Sequence, residues 1–134
     1  SATNLITNGG FESNTTGWSA QFGGESISRI TSDFKFGTAS IQIIGGTGNQ
    51  GINTGYVSGF NPSTAYTISA WVKDTGGAIV LQVDEATSGS GYIQSQNSTV
   101  GSGTGTWRRV SYTFTTSSTT GKISVSFSFT TPIS

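Results

Sequence analysis

The 134-residue chain carries only six carboxylates and has no histidine and no cysteine. Within these residues, imidazole general bases, Ser–His–Asp and Cys–His nucleophiles, and thiolate or HExxH metal sites are all excluded. Hydrolysis that runs on two carboxylates alone needs an acid and a base set across one bond. Asp84 and Glu85 are adjacent, but neighbours on a strand point to opposite faces. Glu12, Glu25, Asp33 and Asp74 fall in loops or near turns, and no spacing pairs them. "GGTGNQG" is glycine-rich but has no Lys after it and opens no helix, so it is not a phosphate loop. The chain reads as non-catalytic.

The residues that could do chemistry are those suited to binding. In "YTISAWVK" the apolar parity is Tyr66, Ile68, Ala70 and Val72, which leaves Thr67, Ser69, Trp71 and Lys73 on the other side. Trp71 thus sits on the polar parity of a strand whose core parity is already filled. In "AIVLQVDE" the core parity is Ile79, Leu81 and Val83, with Val80, Gln82 and Asp84 opposite. If the two strands are neighbours, Trp71, Lys73, Gln82 and Asp84 share a face, and Tyr92 and Gln94 extend it. A flat indole can stack on the apolar face of a pyranose while amides and carboxylates take the hydroxyls. The competing reading is that Trp71 packs under a loop or against a neighbouring domain. An exposed aromatic marks a contact site without naming the partner.

These side chains must be positioned by strands. Roughly a third of the residues are Ser or Thr and Gly is abundant, a chemistry that favours strands and polar turns over helices. Strands are predicted over 26–31, 39–44, 51–57, 65–73, 78–85, 92–95, 106–115 and 122–129. "FNPST" and "DTGG" are turns, and "SSTTG" is a hairpin loop candidate between the last two strands. No segment holds a period of 3.6 residues, so no substantial helix is expected. The result is a single antiparallel sandwich over residues 1–134. Six basic against six acidic residues give a formal net charge of zero. That argues against nucleic acid and against electrostatic attachment to a membrane surface. No apolar run is long enough to span a bilayer. The chain lacks an initiator Met and a signal peptide, and is expected to be a domain of a longer protein or a mature chain.

Four segments, in order, resemble carbohydrate-binding modules of the group that includes families 4, 9, 16 and 22. They are "NLITNGGFES" followed by "GW", "FGTASIQI", "NPSTAYTISAWVK" and "GTWRRVSYTFT". Each match alone is weak; the ordered set covers nearly the whole chain. The resemblance implies an all-β jelly-roll sandwich of galactose-binding-like type. It implies a module that binds a β-glucan, xylan or related glycan on a concave sheet face and holds an attached catalytic domain on its polysaccharide. Secretion is expected with it. The alternative is a structural or adhesive spacer of a bacterial surface protein, fibre or phage tail, since fold alone does not fix function.

The same resemblance implies a structural calcium. Its ligands would map to Gly10 and Glu12 of "NGGFE" and, in "SDFKFG", to Asp33. Oxygen donors suit calcium. The other account of this stretch is a glycine turn, with Phe11 plugging the core and Glu12 solvated or hydrogen-bonded. Family members usually end in a further strand that carries the last calcium ligand. Here the sequence runs to "SFTTPIS" without one. The expectation is an open sheet edge that accepts an added strand.

Overall fold

A computed structural model describes residues 5–6, 8–22, 25–44, 50–74, 77–101 and 103–129. Among the described residues, ten strands follow in chain order: β1 (Ser19–Ala20), β2 (Ser26–Ile30), β3 (Ser40–Ile44), β4 (Gln50–Asn53), β5 (Val57–Ser58), β6 (Ala65–Val72), β7 (Ile79–Ala86), β8 (Tyr92–Val100), β9 (Arg108–Thr115) and β10 (Lys122–Phe129). All pairings are antiparallel, and the described residues contain no helix.

The period-two pattern of apolar residues builds the core. Ile79, Leu81 and Val83 of β7 and Ile123 and Val125 of β10 are essentially fully buried. They pack against Val110 and Phe114 of β9 and the Tyr66, Ile68, Ala70 and Val72 parity of β6. One layer is a six-stranded sheet ordered β1-β4-β10-β7-β8, with β5 also paired to β10. The facing layer consists of two separate ribbons, β2-β3 and β6-β9. Gly51 lets β4 close on β10, because a Cβ there would lie 2.5 Å from the Phe127 carbonyl oxygen.

Three expectations change. The predicted strand over 51–57 is divided, since Gly55 takes a φ of 65° between β4 and β5. The strand predicted over 92–95 runs on to Val100. The "SSTTG" segment is not a hairpin loop, because β9 pairs with β6 and β10 with β7. It crosses between the layers and is anchored there. Ser117 N–H and Thr120 Oγ1 both donate to Glu85 Oε1, each at 2.8 Å.

The second layer is split. β3 and β6 form the two sides of a cleft of about 970 Å³, floored by Ile52, Ile123, Val125 and Phe127. Neither edge has a further partner strand among the described residues. The inward residues of β3 and β6 are only half-buried, whereas those of β7 are fully buried. One end of the cleft is strapped by the segment before β3. There Asp33 accepts from Lys73 Nζ at 2.5 Å and from Trp107 Nε1 at 3.2 Å, and Phe36 meets Trp71 edge-on at 5.8 Å.

Candidate functional site: a polar sheet face

The outer face of the six-stranded sheet is assembled by register. Ser19 pairs with Asn53, Asn53 with Ser126, Ser126 with Gln82, and Gln82 with Asn97. Cross-strand partners share a face, so these five polar side chains form one row across β1, β4, β10, β7 and β8. Five strands span about 19 Å at the usual strand spacing. A second row joins Ser124, Asp84 and Ser95. Ser126, at the centre of the row, is buried at 3 % exposure, so Gln82, Asp84 and Asn97 beside it carry the accessible polar groups of this polar trough.

Hydrogen bonds set its side chains in place. Gln82 Nε2 donates to Asp84 Oδ1 at 3.0 Å, Ser95 Oγ also donates to Asp84 Oδ1, and Tyr92 Oη lies 3.0 Å from Ser95 Oγ. Asn53 Oδ1 accepts from Gly55 N–H at 2.9 Å, which leaves its amide N–H groups for the face. Tyr92 is 65 % exposed and overhangs the second row. It reaches that face through a bulge between Glu85 and Ala86 that pairs Ala86 with Tyr92. A bulge re-aims a side chain in this way.

Behind the trough lies a buried carboxylate. Glu85 is fully buried among inward-facing residues. Burial pushes its carboxyl up, but donors from Gln96, Ser117, Thr120 and Gln94 together hold it below the usual glutamate range. The donors divide evenly: Ser117 and Thr120 serve Oε1, and Gln94 and Gln96 serve Oε2 at 2.8 and 2.7 Å. Hydrogen bonds to the charged form offset desolvation. Asp84 and Glu85 therefore lie on opposite faces of β7, as strand geometry requires.

The residues expected to form one site are divided. Gln82, Asp84 and Tyr92 are together on the trough. Trp71 and Lys73 are not with them, because β6 pairs with β9 rather than with β7 and belongs to the opposite layer. Gln94 is also turned away: its partner in register is Glu85, so it faces inward. Trp71 is 37 % exposed. Phe36 meets its edge and Lys35 Nζ lies 4.6 Å from its ring centroid, so a loop covers part of it. Ser19, Asn53 and Asn97 did not stand out in the sequence, since their shared row depends on pairing between distant strands.

The residues that the resemblance assigns to calcium have other partners. The Glu12 carboxylate accepts from Thr38 N–H at 3.1 and 3.2 Å and from Thr38 Oγ1 at 2.5 Å. Those bonds, more than the Arg29 charge, lower its pKa. Gly37, with a φ of 68°, makes room, since a Cβ there would collide with the carboxylate. Arg29 Nε and Nη2 donate to the carbonyls of Phe11 and Glu12 at 2.6 and 2.5 Å. Asp33 is committed to Lys73 and Trp107, which lower its pKa in that order. Among the described residues, no three acidic side chains converge. The Glu12 and Asp33 carboxylates are thus held by the chain's own donors.

Two other tryptophans are structural. Trp18 packs on Phe11 and Phe127 at 5.6 and 6.4 Å, and its Nε1 donates to the Asn8 carbonyl. Trp107 precedes β9 beside a turn and is fixed by Asp33.

Comparison with known proteins agrees with this architecture. No curated protein matches the chain. Among solved structures, it is similar to the N-terminal CBM22-1–GH10 modules of a Clostridium thermocellum endo-1,4-β-D-xylanase complexed with xylohexaose. That match has a TM-score of 0.71 and 18% identity, over 92% of this chain and 25% of that one. It is similar to a family 16 carbohydrate-binding module, with a TM-score of 0.66 and 21% identity over 98% of both chains. It also resembles the enzymatically active domain of bacteriophage CBA120 tailspike protein 4. There the TM-score is 0.77 and the identity 13%, over 97% of this chain and 20% of that one. The chain thus spans a quarter or less of the xylanase and tailspike chains. At these identities the structural likeness speaks for the β-sandwich fold. A family profile described as carbohydrate binding domain matches residues 3–132, and by that match the chain belongs to this family of carbohydrate-binding modules.

Proposed function

We propose that this domain is a non-catalytic module that binds a neutral polysaccharide along the outer face of the six-stranded sheet. The observation that carries the reading is the row Ser19–Asn53–Ser126–Gln82–Asn97. Ser126 itself is buried, but the amides and hydroxyl of Ser19, Asn53, Gln82 and Asn97, spread over four of the five strands, reach the surface and match the alternating donors and acceptors of sugar hydroxyls. Tyr92, held by Ser95, supplies an aromatic edge to the trough. The xylohexaose complex of one structural relative puts β-1,4-xylan first among the glycans to try, with β-glucans next. In a secreted parent protein, the module would hold an attached domain on that glycan.

The first experiment is binding of the purified domain to a panel of soluble and insoluble neutral polysaccharides. Gln82→Ala and Asn97→Ala are run beside the wild type. Each substitution should weaken binding about tenfold, the loss of one or two hydrogen bonds. Binding that ignores both substitutions would rule out the trough. No binding to any glycan would favour the second reading, a spacer domain of a surface, fibre or tail protein, for which the tailspike likeness is the motive.

Two features of the opposite layer complete the proposal. The facing edges of β3 and β6 would accept an extended strand from a longer form of the polypeptide, completing a sheet whose inward side chains are now half-buried. The "NGGFE" loop is closed by the chain's own donors: Thr38 takes the Glu12 carboxylate that calcium would share with the Gly10 carbonyl, and the Arg29 guanidinium takes the neighbouring Phe11 and Glu12 carbonyls.

A further inference from the structure

The trough leaves unused a second surface, at the outer end of the β6–β9 ribbon. Six basic side chains are present in the chain. Lys73 and Arg108 pair with Asp33 and Asp74, Arg29 is tied to two carbonyls, and Lys122 reaches Ser90. The other two, Lys35 and Arg109, have no carboxylate partner among the described residues, and both sit at Trp71. Lys35 Nζ stands 4.6 Å from its ring centroid, and Arg109 is its cross-strand partner in register. Arg109 spends one N–H on Ser69 Oγ at 3.2 Å and keeps the rest of its fork free. Phe36 adds a 64 % exposed ring beside the indole. Trp18 and Trp107 have bonded indole N–H groups. The Trp71 N–H has no partner among the described residues.

We infer that this patch is a second binding site, specific for a carboxylated sugar, a hexuronate residue of an acidic polysaccharide. The more exposed Phe36 ring offers flat apolar surface for one pyranose, with Trp71 set edge-on beside it, and the indole N–H can donate to a ring hydroxyl. The guanidinium takes a carboxylate in fork geometry, which an ammonium alone does not provide. The local excess of two positive charges suits one singly charged group. A nucleic acid or an anionic membrane engages several cations at once, and this chain has no such cluster. The site shares no residue with the trough.

The test uses the purified chain with an oligogalacturonide and its carboxyl-reduced neutral counterpart, followed by calorimetry and by the three indole N–H signals in NMR. The oligogalacturonide should shift the Trp71 indole signal and leave those of Trp18 and Trp107 in place. Its affinity should fall at least tenfold on carboxyl reduction and at least fivefold in Lys35→Gln and in Arg109→Gln, and weaken with added salt. Gln82→Ala should not change it. Equal affinity for the charged and reduced sugars, no binding of the uronide, or loss confined to Gln82→Ala would each overturn the assignment. Because neutral-glycan binding is read through Gln82 and Asn97, the trough and this site can fail independently.

Discussion

The two outer faces of this sandwich are built from the same strand periodicity and reach opposite chemistry. On the six-stranded side, hydroxyls and amides lie in rows, and Asp84 is bonded to Gln82 and Ser95 on the face itself. On the ribbon side, an indole and a phenyl ring stand beside two cations that have no carboxylate partner among the described residues. The difference follows from what lies beneath. Under the trough, β7 and β10 have fully buried inward residues and a fully bonded Glu85, so the backbone that carries the rows is fixed. Under Trp71, the inward residues of β6 are half-buried along an open cleft. On the proposals made above, one face would read a neutral chain by geometry and the other would capture a charged group.

The largest expected effect lies behind the trough. Glu85→Gln puts an amide N–H where two donors, from Gln94 and Gln96, now converge. A fully buried, fully bonded carboxylate lost in this way should cost about 3 kcal/mol of stability, read by chemical denaturation. The pH dependence has a definite sign. The folded pKa of Glu85 lies below its ordinary value, so its contribution is complete above the unfolded pKa of about 4.3 and fades as pH falls through the folded value. Wild type should lose stability on acidification below that range, and Glu85→Gln should lose less. Equal acid sensitivity in the two proteins would mean that the trough has no such anchor.

Next in size is the cleft under the other face. A version of the domain extended by about fifteen residues of its parent should melt higher, with a gain of about 2–3 kcal/mol if a strand covers roughly 100 Å² of apolar surface on β3 and β6. The gain should vanish when the added segment carries proline at alternate positions, because the ladder then loses its donors. Equal melting of the short and extended chains would mean that the second layer is complete as two ribbons.

A smaller effect sharpens the contrast between the faces directly. Trp71→Ala should leave neutral-glycan binding within about twofold of wild type, against about tenfold for Gln82→Ala. The reverse ranking, measured by calorimetry on the same oligosaccharide, would restore Trp71 as the principal platform and leave the trough's amides and hydroxyls bonded only to water.

The contrast was only half legible in the sequence. Alternation in "YTISAWVK" and "AIVLQVDE" assigned inward and outward parity on β6 and β7 correctly, because a half-buried strand writes its burial in a two-residue period. What alternation does not contain is which strand lies beside which. Trp71 and Asp84 both point outward, and whether they share a face depends on β6 pairing with β9, a partner distant in sequence. The bulge at Glu85 and Ala86 was equally hidden: strict alternation puts Tyr92 and Gln94 together, and one extra residue sends them to opposite sides. The row through Ser19, Asn53 and Asn97 is a product of register across distant strands and leaves no local mark.

The smallest expected effect is a null result with a clear alternative. Calcium at millimolar concentration, compared with a chelator, should not move the melting temperature or glycan binding. The reason is specific to the loop beside Arg29. A calcium ion at Glu12 would have to displace the Thr38 N–H and hydroxyl from the carboxylate, and would then sit near a guanidinium that already occupies the Phe11 and Glu12 carbonyls. Like charges at short range oppose that exchange. Arg29→Gln is the informative variant, because it removes the competing cation while leaving Glu12 in place. If the guanidinium is what closes the loop, this variant should melt lower than wild type, and added calcium should recover part of the loss. A calcium-dependent rise in the wild-type melting temperature would show instead that the carboxylate releases Thr38 for the metal. The ribbon side of the molecule would then be organised by an ion rather than by its own side chains.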